Sequence, residues 1–400
     1  MTARQTGPMK TVDEHRRDLL ELLPVGPAID VPVAEAEGLV LAVDLRSTVA
    51  LPPFDNSAMD GYAVRREDIL DVPVTLPVAE DIPAGRTDIP ELKPGTVHRI
   101  MTGAPMPAGA DAVVPVERTD GGTDVVRLDA APDLHQHVRW AGEDIAAGTV
   151  ALTAGTQLRA PQLGLAAAIG EATLSVHRRP RVTVLATGSE LVEPGQPLEP
   201  GQIYESNSVM LVAAARAAGA QARLVRFVTD DVEAFRVAIE AASVDTDLLL
   251  TSGGVSAGAY EVVKDAFTGQ GVTFVKVGMQ PGMPQGFGYA GEVPVITLPG
   301  NPVSAFVSFE AFVRPVIRKA LGQAELLRPV SRARLAGPLR SPEGKRQFQR
   351  GRYADGVVEL VGGPPSHLLA HLAMADCLVV IPEDVTSLGA GDEVDVWELR

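Results

Sequence analysis

Cysteine is almost absent from this chain: Cys377 is the single one among 400 residues. A lone cysteine excludes an intramolecular disulfide and any metal site built from several thiolates, and it is typical of a reducing cytosol. Aromatic residues are also scarce, at 4% of the chain, whereas apolar residues reach 46%. A large core is therefore possible, and Val, Leu and Ala must build most of it.

Basic residues are fewer than acidic ones, 35 against 51, which gives a formal net charge of −16. That balance argues against nucleic acid or an anionic membrane surface as the main partner, but not against a small anionic ligand in a local pocket. The chain also lacks the ~18 consecutive apolar residues of a membrane span and a basic, then apolar leader. We therefore expect a cytoplasmic protein with no membrane span and no nucleic-acid partner.

The chain length suggests about two to four domains. Short strands predicted over residues 72–140 form a β-rich module, and strands return after about residue 325 as a small separate β domain. Between them, residues 180–322 alternate strand and helix, which is typical of a mostly parallel sheet covered by helices. The last helix of that stretch is predicted over 302–321, with Asn301 as its N-cap and a kink at Pro315.

Two glycine-containing turns follow predicted strands of the α/β region. The apolar run Leu248–Leu250 leads into Gly253 and Gly254, and a later strand leads into Gly300 and a helix start. Successive N–H groups in such turns, with the positive end of a helix, bind anions. One turn alone would be a plain strand-to-helix connection, but two close together predict a cradle for phosphate. Neither matches a Walker or a Rossmann motif.

Acidic residues near these turns are candidate metal ligands. Glu190 follows a third strand, and Asp230 and Glu261 lie close to the turns in sequence. Carboxylates of this kind hold Mg²⁺ beside polyphosphates, although each could also be a solvated acid at a helix start. Serine-hydrolase and zinc chemistry are not supported, since there is no GxSxG and no His/Cys cluster. Residues 51–64, rich in Asp, Asn, Ser and Pro, fit an ordinary surface loop and a shaped binding loop equally.

Taken together, these loops resemble the MoeA family of molybdopterin molybdenumtransferases, equivalently the E domain of gephyrin. The matching segments are residues 54–63 (FDNSAMDGYA), 100–105 (IMTGAP), 142–144 (GED), 187–191 (TGSEL), 251–256 (TSGGVS) and 298–304 (LPGNPVS). They cover nearly the whole chain in the family's order. The resemblance implies an α/β multidomain, elongated protomer: a helical segment (1–50 and 145–179), an inserted β module (51–144), a molybdopterin-binding α/β domain (180–323) and a C-terminal, β-barrel-like domain (324–400).

The resemblance also implies an activity and its partners. Family members insert molybdate into adenylylated molybdopterin and release molybdenum cofactor and AMP, with Mg²⁺. The expected assembly is a homodimer whose cleft lies between the α/β domain of one protomer and the β module of the other. The expected upstream partner is a molybdopterin adenylyltransferase.

Site residues carry over onto matching positions of this sequence. The implied catalytic residues are Asp60, Thr102, Asp144, Glu190, Asp230 and Glu261, of which Glu190, Asp230 and Glu261 would also bind the metal. The implied ligand-binding residues are Thr187, Gly188, Ser252, Gly253, Gly254, Ser256, Lys264, Lys276, Pro299, Gly300, Asn301, Pro302, Ser304, Arg346, Arg350 and Ser366, with His367 in the same motif as Ser366.

The chain departs from the family pattern at two places. Glu261 stands where the family has an aspartate, which is one methylene shorter. The family's Lys-Pro-Gly-Lys is here Gln280-Pro281-Gly282-Met283. Because those lysines are thought to face the oxyanion, their loss removes two charges that would compensate molybdate, unless Lys276 or Arg350 substitutes. The departure keeps an alternative open: a gephyrin-like scaffold that binds a peptide, for example a cell-division adaptor for the FtsZ tail, with weak or no transferase activity.

Overall fold

The computed structural model of the chain describes residues 9–226, 232–253, 262–267 and 271–399. Helix α1 (Val12–Leu20) begins at Thr11, whose side chain accepts a hydrogen bond from Glu14 N while the Glu14 carboxylate accepts from Thr11 N. Such reciprocal capping satisfies two N–H groups that the first turn leaves open. Strands β1 (Ala28–Pro32) and β2 (Leu45–Arg46) follow, with a 3₁₀ turn at Val33–Glu35.

The next stretch forms a curled five-stranded sheet. Its elements are β3 (Asn56–Ser57), β4 (Gly61–Val64), β5 (Val74–Ile82), β6 (Val97–Ile100), β7 (Ala112–Pro115), β8 (Val125–Leu128) and β9 (Val138–Arg139), with 3₁₀ turns at Arg66–Ile69 and Val116–Arg118. The sheet order is β7-β4-β6-β5-β8, so the buried β4 has a neighbouring strand on each side. Residues 51–64, considered as a loop from sequence, therefore include two strands.

Three further elements complete the helical segment: β10 (Val150–Leu152), α2 (Ala160–Ala168) and β11 (Thr173–His177). Strand β11 pairs antiparallel with β1, and β10 pairs with β2. Residues on both sides of the inserted module thus form one unit around Leu41, Leu158 and Val176, which are all buried.

The α/β region is built on a six-stranded sheet. Its elements are β12 (Arg181–Ala186), β13 (Leu191–Val192), β14 (Ile203–Tyr204), α3 (Asn207–Ala217), β15 (Gln221–Arg226), α4 (Val232–Ser243), β16 (Leu248–Ser252), α5 (Val262–Phe267), β17 (Val272–Lys276), β18 (Met279–Gln280), β19 (Pro284–Ala290) and β20 (Val293–Leu298). The order is β15-β12-β16-β20-β19-β17, with the first four strands parallel and β19 antiparallel to both neighbours. The carboxyl ends of β12, β16 and β20 therefore share one edge.

The predicted helix over 302–321 is interrupted rather than simply bent. It divides into α6 (Pro302–Ser308), a π-helical turn (Phe309–Val313) and α7 (Arg314–Ala320). Pro315 has no N–H to give to the carbonyl of Ala311, four residues earlier. The Arg16 side chain of α1 donates to that carbonyl instead, with Nε 2.9 Å from the oxygen. Helix α1 packs along this segment, and Val12 and Leu19 belong to the core of the α/β region.

The C-terminal stretch forms a closed barrel. Its elements are β21 (Val330–Leu335), β22 (Leu339–Arg340), β23 (Arg346–Ala354), β24 (Val357–Leu360), α8 (Leu369–Ala373), β25 (Cys377–Ile381), β26 (Ser387–Leu388) and β27 (Glu393–Glu398). Pairing runs β23–β24–β21–β27–β25 and back to β23. The predicted α/β multidomain fold with a barrel-like C-terminal domain is confirmed, and sequence reasoning missed the short α8. Among the described residues, none of the helices is long and apolar enough to cross a bilayer.

Candidate functional site

The two glycine turns meet at the carboxyl edge of the parallel strands. Gly253 follows β16 and adopts a φ of 96°, which favours glycine. Its N–H donates to the carbonyl of Leu298 at the end of β20, at 3.0 Å. A Cβ added to Gly300 would lie 3.4 Å from Gly253 Cα, so the two backbones are in contact. The prediction that both turns lie side by side is confirmed.

Asn207, at the start of α3, joins the two turns. Its Nδ2 donates to Ser252 Oγ at 2.9 Å and to the carbonyl of Gly300 at 2.6 Å. The Ser252 hydroxyl lies 3.5 Å from the carbonyl of Pro299. Sequence reasoning missed Asn207, because a polar residue at a helix start is an ordinary cap. No sequence signal marked it, since its two partners lie after different strands that meet only in the fold.

A third loop, Thr187–Glu190, follows β12 at the same edge. A Cβ added to Gly253 would lie 3.8 Å from the carbonyl oxygen of Thr187. Gly188 has a φ of 148°, and a Cβ there would lie 2.7 Å from Glu190 Oε2. The Glu190 carboxylate therefore folds back over Gly188 at an exposed position. Within the described residues, no group of three or more His, Cys, Asp or Glu side chains is placed to hold a metal ion.

The barrel reaches the same edge through Ser366. Asn301 Nδ2 donates to Ser366 Oγ at 2.8 Å, and Val303 N donates to the Ser366 carbonyl at 3.0 Å. Asn301 occupies the N-cap position of α6, as predicted, but its side chain makes no capping hydrogen bond. The side chain bridges two domains instead. Ser304 is buried in the first turn of α6.

Arg350 shapes the loop that carries Ser366. The residue is 2% exposed, and its guanidinium donates to the carbonyls of Val361, Pro365 and Gly363. Burial lowers its pKa below the ordinary arginine value. With three carbonyl acceptors already bound, Arg350 is placed as a support of the loop.

The other predicted basic residues lie further from the turns or are already paired. Arg346 binds Asp13 through both guanidinium nitrogens at 2.9 Å and also contacts Glu383 at 2.9 Å, which offsets its charge. Lys276 is exposed at the end of the outer strand β17, separated from β20 by β19. In the described part of the structure, neither cation donates a hydrogen bond to the glycine turns.

A row of three amides includes Gln280, one of the two positions at which the resemblance implies a lysine. Gln347 Nε2 donates to Gln280 Oε1 at 2.7 Å, and Gln349 Nε2 donates to Gln347 Oε1 at 2.8 Å. Gln347 and Gln349 are buried in β23, whereas Gln280 and Met283 are half-buried. Neutral side chains, an amide at Gln280 and a thioether at Met283, thus stand where the resemblance implies two lysines.

In the β module, Asp60 and Thr102 are brought together. Asp60 Oδ1 accepts hydrogen bonds from Thr102 N at 2.7 Å and Thr102 Oγ1 at 2.9 Å, and these bonds hold the pKa of Asp60 below the ordinary carboxyl value. Both residues are exposed. Asp144 lies on the adjoining segment, where its N–H donates to the Leu51 carbonyl at 3.0 Å. In the part of the chain that the structure describes, no hydrogen bond joins these three residues to the glycine turns.

Several predicted site residues lie outside the described residues: Asp230, Gly254, Ser256, Glu261 and the side chain of Lys264. The described site therefore consists of three turns and Asn207 at the sheet edge, Ser366 from the barrel, and the separate Asp60–Thr102 pair. Backbone amides and hydroxyls at such an edge can bind phosphate oxygens.

Three family models match this chain. The MoeA N-terminal region (domain I and II) matches residues 10–170, a probable molybdopterin binding domain matches 183–319, and the MoeA C-terminal region (domain IV) matches 332–399. The glycine turns and Asn207 fall in the second match, and Asp60 and Thr102 fall in the first.

Curated relatives and solved structures agree with these matches. Molybdopterin molybdenumtransferase 2 of Mycobacterium tuberculosis is 53% identical over 404 residues, covering 98% of this chain and 100% of the relative. Molybdopterin molybdenumtransferase of Haemophilus influenzae is 36% identical, covering 97% and 98%. The crystal structure of the molybdopterin biosynthesis moeA protein from Pyrococcus horikoshii OT3 has a TM-score of 0.84 at 29% identity, covering 98% and 100%.

Proposed function

Since this chain belongs to the MoeA family, we propose that it is a molybdopterin molybdenumtransferase, which inserts molybdate into adenylylated molybdopterin and yields molybdenum cofactor and AMP. The observation that carries the proposal is the contact between the Gly253 and Gly300 turns at the carboxyl edge of the sheet. It lies within the region that matches a molybdopterin binding domain.

The described residues support specific roles. N–H groups of the glycine turns and the Ser252 hydroxyl would bind phosphate oxygens of the substrate and stabilise negative charge as the adenylyl group leaves. Ser366 and Asn301 would close the barrel side of the cleft, with Arg350 holding the Ser366 loop in place. As the family resemblance implies, Asp60, Thr102 and Asp144 would reach the turns from the second protomer of a homodimer.

Mg²⁺ is part of the expected chemistry, and the described residues do not fit a metal site by themselves. Glu190 is exposed, and in the described ranges it belongs to no group of three or more His, Cys, Asp or Glu side chains that could hold a metal ion. We assign no step to the metal. Its proposed ligands include Asp230 and Glu261, which lie outside the described residues.

Further proposals follow from the family. The substrate would come from a molybdopterin adenylyltransferase, and the enzyme would act in the cytoplasm. The domain bounds given from sequence stay a prediction, and α1 packs on the α/β core although it was grouped with residues 1–50. The scaffold alternative is not favoured, because the curated relatives carry the name of a transferase.

The test is AMP release. Purified protein is incubated with adenylylated molybdopterin, and AMP is measured by chromatography before and after molybdate is added. We expect molybdate-dependent release of one AMP per cofactor formed. A protein at high concentration that binds the substrate but releases no AMP would contradict the transferase proposal and favour the scaffold.

A further inference from the structure

The Asn207 amide has a fixed orientation. Its Nδ2 lies 2.6 Å from the carbonyl oxygen of Gly300 and 2.9 Å from Ser252 Oγ. A backbone carbonyl carries no hydrogen, so it can pair with the NH₂ end of the amide and not with its oxygen. The Gly300 carbonyl therefore fixes the NH₂ end of the Asn207 amide toward it. Oδ1 is then the atom that points away from this carbonyl.

Asn207 Oδ1 is a buried acceptor that lacks a protein partner. The atom is shielded from water, and within the described ranges it receives no hydrogen bond. Buried polar atoms without a partner are rare, and each one calls for an explanation such as an absent water, ion or ligand. Since the amide sits between the two glycine turns, a group bound at those turns would be next to it.

The Ser252 hydroxyl, in contrast, has a hydrogen that lacks a close acceptor. Its oxygen accepts from Asn207, and its own hydrogen has the distant Pro299 carbonyl, at 3.5 Å, as an acceptor. A contact at that distance is at the limit of a hydrogen bond. The hydroxyl can therefore turn toward an anion, while Oδ1 of Asn207 needs a donor. The two groups together fit a ligand that presents both an anionic oxygen and an N–H.

We propose that Asn207 is a substrate-binding residue: its Nδ2 positions the two turns, and its Oδ1 accepts a hydrogen bond from an N–H of the pterin ring. The inference rests on the proposed function. Phosphate oxygens are acceptors and cannot pair with Oδ1, whereas a pterin carries amide and amine N–H groups. The adenine amine and ribose hydroxyls of the nucleotide are donors as well, so the experiment has to separate pterin from nucleotide.

The experiment measures the dissociation constants of molybdopterin and of AMP, each alone, for the wild type and for Asn207→Ala. We expect molybdopterin binding to weaken by about 10- to 100-fold, which is the usual effect of deleting one partner of a buried hydrogen bond, and AMP binding to weaken by much less. Equal losses for both ligands would mean that Asn207 only positions the turns. A loss for AMP alone would assign the donor to the nucleotide. Either result overturns the proposal, and so does unchanged binding of both.

Asn207→Asp gives a second readout that does not depend on a large structural change. At neutral pH the carboxylate of this variant has no hydrogen to donate to the Gly300 carbonyl, and molybdopterin binding should be weak. The neutral acid has one donor and one acceptor, like the amide, so affinity should recover as the pH falls toward 5, while the wild type shows no such recovery. A variant whose affinity does not recover would contradict the proposal.

Gln162→Ala is the matched control, because it removes an amide that accepts from Arg159 N in α2, away from the turns. It should bind both ligands as the wild type does. Melting temperatures confirm that each variant is folded. If the wild type itself does not bind molybdopterin, the proposed function fails and the inference falls with it; if the wild type binds and Asn207→Ala binds equally well, only the inference fails.

Discussion

The sheet edge and the β module carry their polar groups in different ways. At the edge, Asn207 is hydrogen-bonded to Ser252 and to Gly300, and Ser252 is buried. In the module, Asp60 is exposed, and its charge is stabilised mainly by two hydrogen bonds from Thr102 and further by the nearby Arg99. Enclosed polar groups need partners within the fold, whereas exposed ones contribute little to it. Substitutions of buried polar groups should therefore lower the free energy of unfolding. Substitutions at Asp60 should lower activity without affecting stability.

The largest loss of stability is expected on substituting Glu310, a buried residue in the π-helical turn between α6 and α7. Its carboxylate is 1% exposed, accepts from Arg328 at 2.8 and 3.1 Å, and lies 3.8 Å from Arg314 Nε. Glu310→Ala leaves two shielded arginines without a counter-charge and should cost about 3–5 kcal/mol of unfolding free energy, measured by urea denaturation. Glu80→Ala, which removes a more exposed pair with Arg86 in the module, should cost less than about 1 kcal/mol. Similar losses in both variants would contradict the comparison.

The second effect is a pH dependence of stability from His15. This side chain is buried in α1 against the rings of Phe287 and Phe312, and burial lowers its pKa from 6.5 to about 4. Between pH 6.5 and 4, the His15 imidazole is therefore protonated in the unfolded chain and neutral in the folded chain. Stability should fall by about 3 kcal/mol as the pH drops from 6.5 to 4.

His15→Leu removes this contribution, so its unfolding free energy should depend less steeply on pH over the same interval. Denaturation curves at several pH values check the slope. A variant that keeps the slope of the wild type would show that other groups cause it.

Asp60→Asn should slow AMP release by about 100-fold, the usual cost of removing one charged group from a preorganised site, with no measurable change in melting temperature. The Thr102 bonds lower the pKa of Asp60, so its carboxylate persists to lower pH than an ordinary one and activity should persist with it. Thr102→Val keeps the backbone bond and removes the hydroxyl, which should move the acid limb of the pH–rate profile upward. A marked drop in melting temperature for Asp60→Asn would place it with the enclosed groups.

The smallest effect concerns the two positions where the family pattern has lysine. Changing Gln280 and Met283 to Lys together should lower the molybdate concentration needed for half-maximal AMP release by about tenfold, the gain expected from a charge-assisted contact. The gain should shrink as salt is added. An unchanged requirement would mean that neither side chain faces the anion.

Local pattern was enough to predict the parallel strands and the glycine turns after them. The run Leu248–Leu250 is buried on both faces, as an apolar run of that length implies. Strand β19 escaped prediction, because Gly286 and Gly288 interrupt the apolar alternation. The π-helical turn near Pro315 also escaped, since a proline predicts a break but not its form.

The location of the candidate site could be predicted from the sequence, but the contacts between its side chains could not. Family motifs singled out both Asp60 and Thr102, and in the structure Thr102 Oγ1 donates to Asp60 Oδ1, but their roles stay a prediction. The charge of Arg346 could not be judged from sequence, since its partner Asp13 is 333 positions away. Asn207 was overlooked for the same reason: its importance comes from two strand ends that only folding places beside it.

Helix α1 and the two residues before it stabilise the α/β region and the barrel, although both lie far from this helix in the chain. Lys10 N donates to the Lys276 carbonyl at 3.0 Å, Arg16 supplies the bond that Pro315 cannot, and Asp13 holds Arg346 of the barrel. A fragment cut to begin at residue 180 would lose all three attachments and would expose Phe312 to solvent. Anyone wishing to study ligand binding on an isolated sheet domain would have to supply residues 10–23 as well, for example through a linker joined to its start.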